Sequence, residues 1–337
     1  MSVHSACVAY DRHPPETLPV RGQGRSTLPG GRHRRPASAD LPPDAPALVL
    51  AVPSASTAGG GPRPEGWTDR TATEIASLTR AALADIDIRV GRVPGARGDG
   101  TALIEILYDI ARTSPDNTDN ADNPENADSA RAPDPPAGGS GPKAVVVPLL
   151  TGPNEEAYEH IRAAVAASGT TAVVTEPLGP HPLLAEAMHV RLAESGLARA
   201  DRIRQFSIGA TVDGVVVATM GGAAAVQEAE ITAVLLAARL AVPVIAASLD
   251  GRPSVAEAAA RLREAGAARL ALAPHLIGPE GDHELVAAAA AQADAGCAAP
   301  LGAHEGIVRL VNLRYEVALE EYAVGAPNAV GSRKETS

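Results

Sequence analysis

The chain has 337 residues, of which 45% are hydrophobic and 20% are charged, so a sizeable core can form. Aromatic residues make up only 2%, which nearly excludes the stacking platforms that bind single-stranded nucleic acids. The formal net charge of −11 argues against DNA or RNA as the main partner. The core must therefore consist of alanine, valine, leucine and isoleucine.

The two cysteines, Cys7 and Cys297, cannot build a disulfide framework or a thiolate zinc site. The most apolar long run, residues 231–248, contains Arg239 and Pro243 and predicts a helix followed by a strand, not a membrane span. No continuous apolar segment of a secretory signal is seen. We therefore expect a cytoplasmic protein with neither a membrane nor a nucleic-acid partner.

Three segments without apolar periodicity are predicted to be disordered. Residues 1–45 are rich in proline, arginine, glycine and serine. Residues 113–142 hold six acidic residues and one arginine, which predicts a flexible acidic insert. Residues 326–337 form a short polar tail.

The rest of the chain alternates apolar runs with stretches of helical spacing. Strands are predicted at residues 47–52, 87–90, 144–149, 171–174, 214–219, 242–247, 269–273 and 296–299. In the second half, helices are predicted near residues 225–240, 254–266, 283–294 and 304–323. Strands that are apolar on both faces and alternate with helices predict an α/β fold with doubly wound parallel sheets.

The two halves of the chain are copies of each other. The run P-L-G-P-H from Pro177 is matched by P-L-G-A-H from Pro300, and Arg191 is matched by Arg314, at a constant offset of 123 residues. This internal repeat predicts a duplicated α/β unit.

A second match locates the acidic insert within the first copy. P-L-L-T-G-P from Pro148 matches P-H-L-I-G-P from Pro274 at an offset of 126, whereas the strands further upstream align at an offset of 155. The difference is close to the length of the insert. We therefore predict two tandem domains, residues 46–200 and 201–325, related by a pseudo-twofold axis with a cleft between them.

Ligands of open α/β sheets lie beyond the carboxyl ends of the strands. The loop after the third strand of each copy carries Gly-Pro, carboxylates and a histidine: Glu155, Glu156 and His160 in one, Glu280, Asp282 and His283 in the other. Carboxylates and imidazole suit a borderline divalent metal, and they can also accept protons. The acids equally fit the first turn of a helix, where negative charge suits the helix dipole.

Other histidines have structural interpretations. His181 and His304 hold equal places in the repeat, where a capping or packing role explains them as well as a ligand role. His275 stands where copy one has Leu149 and is interpreted as a packing or rim residue. The sequence contains no dinucleotide fingerprint, P-loop or serine-hydrolase elbow.

Several of these motifs together resemble one known family. They are the tandem repeat, the turn A-V-P-S after the first strand, V-V-V-P-L-L before a loop with glycine, and P-L-G-P-H-P-L-L before a helix. This combination resembles the CbiX-type sirohydrochlorin chelatases, which are class II tetrapyrrole chelatases, over residues 46–325. The resemblance implies insertion of Co²⁺ or Fe²⁺, as a substrate, into sirohydrochlorin on the way to cobalamin or sirohaem.

The resemblance also implies a metal-binding histidine in an A-H-G-S turn after the first strand and a second histidine after the third. Val52 stands at the first position, where only Ser54 matches, and the second position falls near Glu156. We therefore expect Glu156 and His160, one helical turn apart, to be catalytic and to bind the metal together with His283.

The tetrapyrrole substrate carries carboxylates, so its site should offer cations. Arg92 and Arg97 follow the second strand of copy one, and Arg252 follows that of copy two; with Ser54 they are the expected tetrapyrrole contacts. Solvated surface arginines are the alternative interpretation.

Two tetrapyrrole hypotheses for the function remain open at the level of the sequence, beside a third in which the same cleft has an unrelated small-molecule role. The first is a working chelatase with replaced ligands. The second is a degenerate, non-catalytic relative that binds tetrapyrrole or metal as a carrier or regulatory partner. Either protein would be a monomer with an internal pseudo-dimer, or a homo-oligomer.

Overall fold

The computed structural model describes residues 45–53, 67–93, 101–113, 141–199, 212–278 and 283–325. Nearly all of the predicted tails and of the predicted acidic insert lies outside these residues, as does the predicted domain boundary at residue 200. Among the described helices, none is long and apolar enough to cross a membrane.

Strands and helices alternate through both halves. The first half contains β1 (Ala47–Val52), α1 (Trp67–Ala82), β2 (Ile88–Arg92), α2 (Leu103–Thr113), β3 (Ala144–Pro148), α3 (Glu155–Ser168), β4 (Ala172–Val174) and α4 (Pro182–Glu194). The second half contains β5 (Gly214–Thr219), α5 (Gly222–Leu240), β6 (Val244–Ser248), α6 (Val255–Glu264), β7 (Leu270–Pro274), α7 (His283–Gln292), β8 (Ala295–Cys297) and α8 (Glu305–Gly325).

Each half has a four-stranded sheet in which every pairing is parallel. The strand orders are β2-β1-β3-β4 and β6-β5-β7-β8, so the same topology occurs twice. The inner strands β1, β3, β5 and β7 are buried along their whole length, as expected for a sheet covered on both faces. The predicted fold of two tandem doubly wound α/β domains is confirmed.

The cores consist almost entirely of small and branched aliphatic side chains. On one face of the first sheet, Val49 packs with Leu107 and Ile161 from α2 and α3. On the corresponding face of the second sheet, Val216 packs with Leu262 and Val286 from α6 and α7. Burial of this apolar surface is the main favourable contribution to folding.

The last helix of each half packs against the sheet of the other half. Helix α4 contacts β7 and α5, helix α8 contacts β3 and α1, and the two helices contact each other. The exchange joins the two halves and brings the loops at the carboxyl ends of their strands close together.

Tyr315 anchors α8 to the first sheet. Its ring is fully buried, and its hydroxyl donates a hydrogen bond to the carbonyl oxygen of Pro46 at 2.7 Å. Tyr315→Phe keeps the ring and removes this bond, so we expect the free energy of unfolding to fall by about 1 kcal/mol. Urea denaturation measures this change. The exposed Tyr322 offers the matched control Tyr322→Phe, and equal effects of the two variants would contradict the anchoring role.

Candidate functional site

The carboxyl ends of the two sheets meet through their loops. The hydroxyl of Thr151, after β3, donates a hydrogen bond to the carbonyl oxygen of His275, after β7, at 2.6 Å. A Cβ atom built on Gly221, after β5, would lie 2.5 Å from the carbonyl oxygen of Pro153. We call the meeting point of loops 149–154, 220–222 and 275–278 the junction.

The predicted acids lie at the start of α3. Asn154 caps this helix, and its side chain accepts a hydrogen bond from the backbone N–H of Ala157 at 3.1 Å. Glu155 and Glu156 are the first two residues of the helix, where the dipole favours carboxylates. The interpretation of these acids as first-turn residues is confirmed.

Glu156 and His160 are one turn apart and therefore share a face of α3. Glu156 is exposed and His160 is half-buried, so solvent reaches this face. The neighbouring Glu155 is instead paired with Arg162 at 2.8 Å. The structure thus brings together the two residues that we expect to be catalytic.

The remaining predicted metal ligand is not part of the same arrangement. His283 begins α7 on the second sheet and is exposed. Within the described ranges, no three histidine, cysteine or carboxylate side chains are placed to hold one metal ion. Glu280 and Asp282 lie outside those ranges. The ligand roles of Glu156, His160 and His283 stay predictions.

The four predicted tetrapyrrole contacts have different surroundings. Arg92 ends β2 and is only 4% exposed. The side chain of Arg252 is 87% exposed, pairs with Glu257 at 3.2 Å and borders an open groove of about 440 Å³ along α6. Ser54 and Arg97 lie outside the described residues. Arg252 is thus accessible to an anionic ligand from solvent, and the tetrapyrrole-binding roles stay predictions.

The duplicated histidines His181 and His304 have the same structural role. His181 Nδ1 accepts a hydrogen bond from the backbone N–H of Leu183 at 3.1 Å. His304 Nδ1 accepts one from the backbone N–H of Gly306 at 3.0 Å. Partial burial lowers the pKa of both imidazoles and so favours their neutral form. Each histidine caps a helix.

His275 is a buried imidazole at the junction. It is 1% exposed, neither ring nitrogen has a hydrogen-bond partner, and burial lowers its pKa to about 4. Its repeat equivalent, Leu149, is fully buried. This placement supports the packing interpretation and leaves two ring nitrogens unsatisfied.

His275→Leu is expected to stabilise the protein by about 1–3 kcal/mol at neutral pH, because an unsatisfied buried polar group is removed. The pKa of His275 is about 4 in the folded protein and about 6.5 in the unfolded chain. As the pH falls, the imidazole is therefore protonated in the unfolded chain before it is protonated in the folded protein. The wild type should therefore lose stability between these two pH values, and the leucine variant should lose less.

Denaturant unfolding of both proteins at pH 7.5 and pH 5 measures the two effects of His275→Leu. If the variant is less stable than the wild type at both pH values, the imidazole has a stabilising contact and this account of His275 is wrong.

A group of polar residues that the sequence analysis did not bring together lies where α3, the end of β4, α4, α5 and α8 approach one another. We call it the mixed-charge cluster; its members are Tyr158, Glu176, His181, Glu228 and Arg314. The charges of Glu176 and Arg314 lie close enough to Tyr158 and Glu228 to act on the pKa values of both, and the charge of Arg314 lowers the pKa of His181.

Tyr158, on α3, is fixed in position at the edge of the mixed-charge cluster by two contacts. Its hydroxyl donates a hydrogen bond to the carbonyl oxygen of Thr175 at 3.0 Å, and the guanidinium of Arg162 lies 5.3 Å from its ring centre. Among the cluster members, the sequence pattern marked only two: His181, which matches His304 in the repeat, and Arg314, which matches Arg191.

No protein-family model and no curated protein sequence matches this chain. Its structure is similar to that of the sirohydrochlorin chelatase SirB from Bacillus subtilis subspecies spizizenii, solved in complex with cobalt, with a TM-score of 0.52. The likeness covers 83% of this chain and 98% of SirB at 13% identity. The chain has the fold of a sirohydrochlorin chelatase.

CbiX, described as the terminal enzyme of siroheme biosynthesis in denitrifying bacteria, aligns over 81% of this chain and 99% of its own at 16% identity and a TM-score of 0.49. Within the chelatase fold, the position where the resemblance implies a histidine after β1 is taken by Val52, and the matching register of the two sheets makes Thr219 its repeat equivalent. Val52 is apolar, Thr219 carries a hydroxyl, and both side chains are buried. An imidazole is therefore missing from both copies of this position.

Proposed function

We propose that this chain binds sirohydrochlorin, or a similar carboxylate-bearing tetrapyrrole, and inserts Co²⁺ or Fe²⁺ into it. The observation that carries the proposal is the pair Glu156 and His160, on one face of α3 at the carboxyl edge of a chelatase fold. This edge is where ligands of open parallel sheets bind.

The chemistry of insertion suits this pair of side chains. Two pyrrole N–H bonds break, two protons leave the macrocycle, and the divalent metal becomes bound to the four ring nitrogens. Glu156 supplies a carboxylate ligand for the incoming divalent metal, and His160 supplies an imidazole that accepts a pyrrole proton and passes it to solvent. Water and the tetrapyrrole nitrogens complete the coordination of the metal.

A second candidate function is a non-catalytic carrier or regulatory partner that binds the pigment or the metal. The observation that favours it is that buried Val52 and Thr219 stand at the two positions of the implied histidine. Neither a valine side chain nor a threonine hydroxyl replaces imidazole as a proton acceptor at neutral pH, so this half of the family's mechanism is missing.

Anaerobic absorbance spectroscopy tests the proposal. Purified protein is mixed with sirohydrochlorin, Co²⁺ or Fe²⁺ is added, and the pigment spectrum is followed against a control without protein. Insertion faster than in the control supports the chelatase. A bound-pigment spectrum without acceleration supports the carrier, and a pigment spectrum unchanged by protein contradicts both.

A further inference from the structure

The internal repeat provides a comparison between Arg191 and Arg314. The Nε and Nη2 groups of Arg191 donate hydrogen bonds to the carbonyl oxygen of Leu301 at 3.0 and 2.7 Å. Its Nη1 group donates to Glu194 at 2.7 Å. Arg191 therefore has a structural role, because it ties α4 to the loop that precedes α8.

Arg314 holds the same place in α8 and has none of these contacts. Its Nε is buried and lacks a hydrogen-bond partner. The residue that corresponds to Glu194 is Val317, which cannot accept a hydrogen bond from a guanidinium. Leaving a buried charged donor unsatisfied is costly, so the difference between the two copies requires an explanation.

The surroundings of Arg314 combine donors and acids. The Nδ1 atom of His181 accepts the backbone N–H of Leu183, which assigns the proton of the neutral ring to Nε2 and makes that nitrogen a donor. Glu228 has a buried carboxylate oxygen without a hydrogen-bond partner, and neither Glu228 nor Glu176 forms an ion pair with Arg314. Glu176 is exposed, so solvent reaches the cluster.

We propose that Arg314, with the Nε2–H of His181, binds a carboxylate of the ligand in the mixed-charge cluster, and that Glu228 takes up a proton when this carboxylate binds. The inference rests on the proposed function for the identity of the ligand. A guanidinium recognises a carboxylate through directed hydrogen bonds, and the protonated Glu228 adds an O–H donor to the same group.

The charges of the mixed-charge cluster determine the pH dependence. Burial, and then the nearby charge of Glu176, raise the pKa of Glu228, while Arg314 lowers it. Tyr158 and His181 are the other titratable members of the cluster, and Arg162 faces it from α3. An additional carboxylate raises the pKa of Glu228 further, so binding is accompanied by proton uptake. Affinity must then fall as the pH rises through the pKa of Glu228.

Equilibrium titration of the full chain with sirohydrochlorin, without metal, tests the subsite. Arg314→Gln is expected to weaken binding about tenfold, as for loss of a charged hydrogen-bond donor. Arg314→Lys keeps the charge and should recover part of the affinity. Arg309→Gln is the control, because Arg309 is exposed on the same helix and pairs with Glu305.

Glu228→Gln distinguishes a binding role from a structural one. A permanently neutral side chain should bind the pigment at least as tightly as the wild type at neutral pH, and the pH dependence should become flatter. Thermal unfolding of each variant confirms that it is folded. If Glu228→Gln weakens binding as much as Arg314→Gln does, the cluster is only structural and the proposal is wrong.

The outcomes also separate this proposal from the proposed function. If the wild type binds sirohydrochlorin and Arg314→Gln binds equally well, only the subsite is wrong. If the wild type binds no pigment at all, both the subsite and the proposed function are wrong.

Discussion

Replacing Glu156 with alanine is expected to reduce the rate of Co²⁺ insertion into sirohydrochlorin about a hundredfold or more. The variant loses the carboxylate that we propose as a ligand of the incoming metal. A side chain that acts at the reacting atoms typically contributes about a hundredfold or more to the rate. Glu156 is exposed at the second position of α3, so its removal should leave folding almost unchanged.

Glu155→Ala is the matched control for Glu156→Ala. Glu155 is the neighbouring residue, is equally exposed and pairs with Arg162 at the surface. Initial rates of insertion, followed by absorbance at equal protein, pigment and metal concentrations, give the comparison. Pigment binding without metal should be similar in both variants. Equal insertion rates in the two variants would remove Glu156 from the mechanism.

Replacing Gly221 with alanine is expected to destabilise the protein by about 3 kcal/mol. Gly221 has φ of 110°, a conformation that side chains with a Cβ atom adopt at a cost. The new Cβ would also lie 2.5 Å from the carbonyl oxygen of Pro153, so the loops of the two halves must separate. The junction should therefore open or distort.

Gly222→Ala separates these two contributions. Gly222 also has positive φ, at 73°, but a Cβ atom there would meet nothing within 4 Å. This variant should lose only about 1 kcal/mol from backbone strain. Urea unfolding of both variants measures the difference. Equal losses of stability would show that the two halves do not depend on the contact between Gly221 and Pro153.

The sequence predicted local structure well because local structure depends on nearby residues. The strand at 47–52 was found with those bounds, and the helices predicted near 254–266 and 304–323 were found at Val255–Glu264 and Glu305–Gly325. The start of α5 differs from its prediction near residue 225. The helix begins at Gly222, because Gly221 adopts the positive φ that lets the chain enter the helix directly after β5.

The arrangement around Arg314 was beyond the reach of sequence patterns. The residues around it come from α3, the end of β4, α4 and α5. They lie close together because α4 and α8 each pack against the sheet of the other half. Glu228 has no informative counterpart in the repeat, so nothing marked it. The match of Arg191 with Arg314 was visible, but the different hydrogen bonding of the two copies was not.

The proposed activity of this chain is metal insertion into sirohydrochlorin. The most direct test is the initial rate of Co²⁺ insertion at fixed sirohydrochlorin and metal concentrations, measured anaerobically over a series of protein concentrations. If the chain is a chelatase, the rate rises in proportion to the protein added. A rate equal to that of the protein-free control at every concentration would contradict it.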